Sequence, residues 1–483
     1  MLFSSIPFIF FFLPIVLSLY FLIPRQLRNP FLLLASLIFY AWEEGRYVLA
    51  IVFYMVSNYY FGVWIEKYRR ELSDRGSKKA KYALAVSLAL NLGVLIFFKY
   101  LIFIVGNINL LIRFTGYSLG QPKIHLPIGI SFFAFQAISY IIDVYRRDVK
   151  AQEKITTFSL YESFFPKLLA GPIIRYRDIE SQLSERSVTL DMFFNGAQRF
   201  ILGLGKKVLI ANSVAIAADQ IFSMPTVRLS FGLSWLGAIC YALQIYFDFS
   251  GYSDMAIGLG KMLGFDFMEN FHYPYISRSV REFWRRWHIS LSSWLRDYLY
   301  IPLGGGQKGG RRTSINLIIV FFLCGLWHGA SWTFVVWGLW HGVFLIIEHT
   351  RFGKLLDSNK SFGLIYTLSA VLIGWVFFRS DTLTHAMNYL YAMIGLGKGT
   401  QSVSMFLDLK TSSAILLGMI GSTPIAERIK AHLDKAEIAG TLFSRVVVRS
   451  SSILSMTYAY FVFALSVIFI SISTYNPFIY FQF

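Results

Sequence analysis

Apolar residues in this chain fall in long blocks separated by short polar stretches. The blocks lie at 5–23, 30–42, 47–64, 82–103, 127–143, 229–247, 314–327, 330–347, 361–378, 410–422 and 452–473. A helix needs about 20 apolar residues to cross about 30 Å of hydrocarbon, and the blocks approach or reach that length. Inside a bilayer a chain must satisfy its own backbone polar groups, which a helix does within one segment. The pattern therefore predicts an all-α integral membrane protein, polytopic, with about ten to thirteen spans. Segments 156–171 and 192–216 are interrupted by Gly, Pro or charge, and short spans, re-entrant pieces and surface helices all stay open for them.

No internal repeat is visible, and no polar stretch is long enough to bury a core of its own. Residues 1–483 are expected to form a single polytopic membrane domain. The first block has no basic residue before it and no small-residue cleavage site after it, so it is expected to be a retained span and not a signal peptide.

Composition supports this reading. Hydrophobic residues make up 55% of the 483, and charged residues only 15%, against roughly 25% in soluble domains. An ordinary soluble protein is excluded. Charge distribution then sets orientation, because Lys and Arg collect on the cytoplasmic side. Residues 66–81 hold seven basic residues against three acidic, and 278–312 hold eight against two. The linker 106–125 has only Arg113 and Lys123. The first two segments are placed in the cytoplasm and the linker outside, which puts the N-terminus outside. The net charge of +18 raises nucleic acid as a partner, but basic loops facing anionic lipid account for it and no nucleic-acid motif is present. The expected partner is the membrane lipid bilayer. Cys240 and Cys324 lie in apolar segments and read as small buried hydrophobes, with no metal site.

Polar groups within apolar blocks are costly and point to function. The densest such run is Phe283-Trp-Arg-Arg-Trp-His-Ile-Ser-Leu-Ser-Ser-Trp-Leu-Arg-Asp-Tyr-Leu-Tyr-Ile-Pro-Leu303, with His288 and Asp297 among Trp and Arg. An interfacial helix that snorkels its Arg side chains explains it as well as a site does. The second is Phe321-Phe-Leu-Cys-Gly-Leu-Trp-His-Gly-Ala-Ser-Trp332, where His328 stands between Gly325 and Gly329 with no charged residue from 313 to 347. Burial disfavours imidazolium, and a neutral imidazole can take a proton from a hydroxyl as a general base. A core histidine bonded to a carbonyl is the bland alternative. The glycines leave room for a substrate or another backbone.

His341 repeats Trp-His-Gly, 13 residues later. On a continuous helix that is about 220° of rotation and about 20 Å, so His341 is expected to be structural and apart from His328. Asp248 and Asp254 close an apolar block, and a capped turn between helices explains them. No His-Glu-x-x-His, Gly-x-Ser-x-Gly or P-loop occurs. Many spans and paired charges also fit a transporter, although no related halves are found.

These segments together resemble the membrane-bound O-acyltransferase family, and within it the branch that acetylates alginate. The resemblance is carried by Trp287-His288 through Gly305 and by Leu326-Trp-His-Gly-Ala330. Pro127-Ile-Gly-Ile-Ser-Phe-Phe-Ala-Phe-Gln136 with Tyr140–Tyr145, Ala170-Gly-Pro-Ile173, Phe247-Asp-Phe-Ser-Gly-Tyr-Ser-Asp254 and Asn476–Phe483 add to it. It implies a ring-like bundle around a central thinned region, with the catalytic histidines at His328 and His288. It also implies transfer of an acyl group, acetyl in this branch, from a cytoplasmic thioester donor such as acetyl-CoA to an exported polysaccharide. No bound cofactor is expected. A separate periplasmic acetyltransferase is the expected protein partner, and the inner membrane the expected location. Transfer of D-alanine to teichoic acid, by a related branch, is the rival.

Overall fold

The computed structural model describes residues 1–71, 73–307, 309–438, 442–473, 475–477 and 479, with backbone alone for 430, 433–438 and 442–453. The Phe-Gln-Phe at 481–483 lies outside the described residues. Helices account for nearly all regular structure, and no strand occurs among the described residues. Five helices there are long and apolar enough to cross a membrane: Arg25–Arg70, Asp74–Thr115, Leu190–Phe222, Lys360–Arg379 and Leu454–Ile472. Phe8–Leu22, Trp332–Glu348 and Leu409–Gly421 are shorter apolar helices. Two of the expected blocks, 30–42 and 47–64, fall within the one stretch Arg25–Arg70, and length sets others apart. Ile130–Arg146 and Trp332–Glu348 have 17 residues each, so each is about 26 Å long, short of about 30 Å of hydrocarbon.

The stretch Arg25–Arg70 breaks at Gly45, whose φ of +52° suits a residue without a Cβ. The break separates Arg28–Glu44 from Val48–Arg70. The interrupted segment 192–216 is in fact part of one continuous helix, Leu190–Phe222, with a π-helical stretch at Lys206–Ala211. Segment 156–171 breaks at Phe164 into Ile155–Ser163 and Phe165–Leu168. Both pieces are buried within the protein, where irregular backbone is tolerated.

Leu190–Phe222 packs against the 32-residue helix Phe231–Met262. Their backbones touch through glycine pairs. A Cβ on Gly196 would lie 2.7 Å from the Gly258 carbonyl, and one on Gly203 would lie 2.6 Å from that of Gly251. This corrects the capped-turn reading of Asp248 and Asp254, since the helix runs straight through both. Cations from the neighbouring helix make that possible. Lys207 pairs with Asp248 at 2.6 Å, and Arg199 and Lys206 pair with Asp254 at 2.8 and 2.6 Å. Cys240 and Cys324 are buried and free, as expected.

The basic segments meet on one face. Arg147 donates to the Arg69 carbonyl (2.8 Å), Arg146 to that of Asp297 (3.4 Å), and Arg175 pairs with Asp297 at 2.6 Å. At the other end of the 23-residue helix Val48–Arg70, about 34 Å away, the Met1 amine pairs with Glu43 and His125 with Glu44. The N-terminus and the 106–125 linker therefore share the end opposite the basic segments.

Candidate active site

The site grows from the hairpin formed by Gly310–His328 and Trp332–Glu348. The first helix stops at His328 because the chain turns at once, with Ser331 N–H on the Gly329 carbonyl at 2.9 Å. The two helices approach closely through glycine. A Cβ on Gly325 would lie 2.3 Å from the Phe334 carbonyl, one on Gly338 2.2 Å from that of Phe321, and one on Gly329 2.2 Å from the Phe334 ring. The room beside His328 is thus taken by the returning chain.

The helix end at His328 leaves carbonyls without intrahelical donors. Side chains from a π-helical stretch, Ile96–Tyr100, supply them. Lys99 Nζ donates to the carbonyls of Trp327 (2.5 Å) and His328 (3.2 Å) and lies 3.4 Å from Ser131 Oγ. Tyr100 donates to the Leu326 carbonyl at 2.9 Å. Neither residue was singled out from sequence. The signal was present, since Lys99 is the one charged residue in the apolar block 82–103, and a lone charge in a span is functional by default.

The Trp- and Arg-rich run is two short helices, Val280–Arg286 and Ile289–Leu295, with His288 at the break between them. Glu348, at the end of the hairpin, accepts the N–H groups of Val280 (2.6 Å) and Arg281 (2.9 Å) and holds the run against it. Trp294 stacks on Phe135 at 3.9 Å and donates to its carbonyl at 2.9 Å. The Ala170–Ile173 motif joins here, with Ile173 N–H on Ser290 Oγ at 3.0 Å. The run is therefore built into the protein, and an interfacial anchor does not describe it: His288 is fully buried.

His288 and His328 share Trp327 as a neighbour, at ring-centroid distances of 6.0 and 4.8 Å. The charge pattern had placed the two runs at different depths, and the fold brings them together. His341 is closer than expected too. The helix arithmetic assumed continuity, but the turn after His328 folds the second helix back, so His328 and His341 both pack on Trp337, at 4.9 and 5.1 Å. His341 lies beside the site, between Trp284 and Trp337.

One feature marks this region chemically. Both ring nitrogens of His328 and of His341, His288 Nε2, and the indole N–H groups of Trp284, Trp327 and Trp337 are buried without a hydrogen-bond partner among the described residues. A buried polar group left unpaired costs about 1–3 kcal/mol, and native proteins keep few of them. Here they converge on one aromatic-walled region.

Asp297 lies apart, on the basic face. It pairs with Arg175 (2.6 Å), Arg177 (3.2 Å) and Arg296 (2.7 Å). Burial pushes its carboxyl up, but the guanidiniums of Arg296, Arg175 and Arg177 more than offset this and hold it below the usual carboxylate range. No cluster of three or more metal-ligating side chains occurs among the described residues.

The family model for MBOAT, the membrane-bound O-acyltransferase family, matches residues 153–353, a region that contains His288 and His328. A probable alginate O-acetylase of Azotobacter vinelandii is 41% identical over the full length of both chains. One of Pseudomonas aeruginosa is 44% identical over 82% of this chain and 75% of its own. A peptidoglycan O-acetyltransferase of Helicobacter pylori is 35% identical over 82% of this chain and 80% of its own. Similarity of this extent sets aside the transporter reading. The chain belongs to the membrane-bound O-acyltransferase family and is an all-α, multi-pass membrane O-acyltransferase.

Proposed function

We propose that this enzyme passes an acetyl group from a cytoplasmic thioester, acetyl-CoA in the simplest case, across the inner membrane for O-acetylation of an exported polysaccharide such as alginate. The observation that carries the reading is the convergence of unpaired His328 and His288 nitrogens in a buried, aromatic-walled region. Relatives named for acetylating alginate and peptidoglycan support acetyl as the group. They also disfavour D-alanyl transfer to teichoic acid.

In this reading His328 is the general base. It takes the proton of the acceptor hydroxyl as the oxygen attacks the thioester carbonyl carbon. The new C–O bond forms, the C–S bond breaks, and the proton passes to the departing thiolate, giving an ester and a free thiol. Proton transfer of this kind contributes about 10²–10⁴ in rate, and holding donor and acceptor together contributes much of the rest. His288 lines the donor side or orients the thioester. The basic face around 278–312 attracts the anionic donor and lies in the cytoplasm, with the N-terminus on the opposite side. A periplasmic acetyltransferase partner completes delivery to the polysaccharide.

The test uses membranes of the polysaccharide-producing cell carrying each variant, supplied with radiolabelled acetyl-CoA. His328→Ala is expected to remove at least about 10²-fold of the polysaccharide ester formed at normal protein level, and His288→Ala to cause a large loss. Wild-type ester formation in His328→Ala would overturn the assignment.

A further inference from the structure

His288 adopts a left-handed backbone, φ 44° and ψ 54°, which is uncommon for a residue with a Cβ. A neighbouring segment holds it there. Ile289 N–H donates to the Asn270 carbonyl (3.0 Å) and His272 N–H to that of Arg286 (2.9 Å), so residues 270–272 run alongside 286–289. The Asn270 side chain, 1% exposed, sits directly beside the imidazole.

The orientation of that amide is fixed by groups with no choice of role. Ser290 N–H, which only donates, lies 3.2 Å from Asn270 Oδ1, so the oxygen and not the nitrogen faces it. At the other end Nδ2 donates to Ser253 Oγ at 3.2 Å. The Ser290 hydroxyl donates to the same Oδ1 at 2.9 Å while accepting Ile173 N–H. His288 Nδ1 is 3.2 Å from Oδ1. An oxygen that accepts cannot face a nitrogen lone pair, so Nδ1 must carry the proton. The other arrangement has the Ser290 hydroxyl donating to Nδ1 across 3.5 Å; it gives up the shorter bond and sets two lone pairs against each other. Which ring nitrogen of a histidine is free follows from the bond made by the other. Nε2 is therefore the unprotonated nitrogen, and it has no protein partner among the described residues.

We propose that Asn270 is a positioning residue that holds His288 as the Nδ1–H tautomer, so that its Nε2 meets the substrate as a hydrogen-bond acceptor and not as a donor. This rests on the reading of His288 as a catalytic residue. It narrows that role: His288 can receive an N–H or O–H of donor or acceptor, and in its resting form it has no proton to give at Nε2. An oxyanion-stabilising role for neutral His288 is thereby excluded.

The test is ¹⁵N NMR of the full-length protein, histidine-labelled in lipid, with the His288 resonances identified by their loss in His288→Ala. Wild type is expected to show Nδ1 protonated and Nε2 unprotonated. Asn270→Asp, which keeps an acceptor oxygen, is expected to retain that signature and most of the ester formation in the producing-cell membranes. Asn270→Leu is expected to give mixed tautomers and at least a tenfold lower turnover at saturating acetyl-CoA. A protonated Nε2 in wild type, or an unchanged tautomer and turnover in Asn270→Leu, would overturn the proposal. Wild-type turnover in His288→Ala would remove the catalytic reading beneath it, and with it the role of Asn270, whatever the tautomer observed.

Discussion

Replacing Lys99 with Met removes the amine from the end of the His328 helix and keeps the length of the side chain. In the folded protein Nζ serves the carbonyls of Trp327 and His328, at 2.5 and 3.2 Å. Both belong to the last turn of the helix, where no backbone N–H follows to bond them. A buried acceptor left unpaired costs about 1–3 kcal/mol. Leaving both carbonyls unpaired should therefore destabilise the protein by about 2–6 kcal/mol. The effect on chemistry should exceed the effect on folding, because the freed carbonyls belong to His328 and its neighbour. A misplacement of about 1 Å at a reacting group costs about 10²-fold. Lys99→Met is expected to show a lowered melting midpoint in detergent and ester formation down about 10- to 100-fold, with the apparent KM for acetyl-CoA little changed. Tyr100, whose hydroxyl bonds the Leu326 carbonyl, stays in place and should keep the fold intact. Wild-type melting together with wild-type ester formation would refute the claim that Lys99 holds the His328 turn.

Other substitutions probe separate parts of the account. His341→Phe keeps a planar ring between Trp284 and Trp337 and should retain activity within about tenfold, measured as polysaccharide ester; a loss equal to that of His328→Ala would give His341 a chemical role. Gly325→Val drives a side chain into the Phe334 carbonyl and should lower both folded protein and activity, read by detergent-stable yield. Asp297→Asn should destabilise the basic face by about 1–3 kcal/mol at neutral pH. The folded carboxyl titrates below its ordinary value, so its contribution is present above the unfolded value of about 3.9 and is lost as pH falls through the lower folded value. The melting difference between wild type and Asp297→Asn should accordingly shrink on acidification below about pH 4.

Much of the fold was legible in the chain because burial in lipid demands apolar length, and apolar length is visible in one dimension. Polar residues inside helices were harder to read. Asp248 and Asp254 look like the end of a span until Lys207, Lys206 and Arg199 are placed beside them, and those partners lie about 40 to 55 residues upstream. His328 stood out for its isolation among apolar residues, and His288 for the density of its run. Their meeting around Trp327 had no local signal, because charge counting assigns a side to each segment and says nothing of how segments fold over one another. His341 misled for a plain geometric reason: a turn of three residues, from Gly329 to Ser331, reverses the chain that the helical arithmetic had taken as straight. Asn270 had no sequence signature at all. Its importance comes from backbone pairing across a loop, which no periodicity encodes.

The most direct test of the central claim is sidedness in sealed vesicles from producing-cell membranes. Acetyl-CoA is too charged to cross a bilayer unaided, so the face that receives it decides the outcome. In the proposed orientation, vesicles turned inside out present the basic face, 66–81 and 278–312, to the added donor. They are expected to place labelled acetyl ester on polysaccharide within the lumen, and right-side-out vesicles given the same acetyl-CoA outside are expected to form none. Equal labelling in the two orientations, or labelling only when donor and polysaccharide are supplied together on the basic face, would contradict transfer across the membrane.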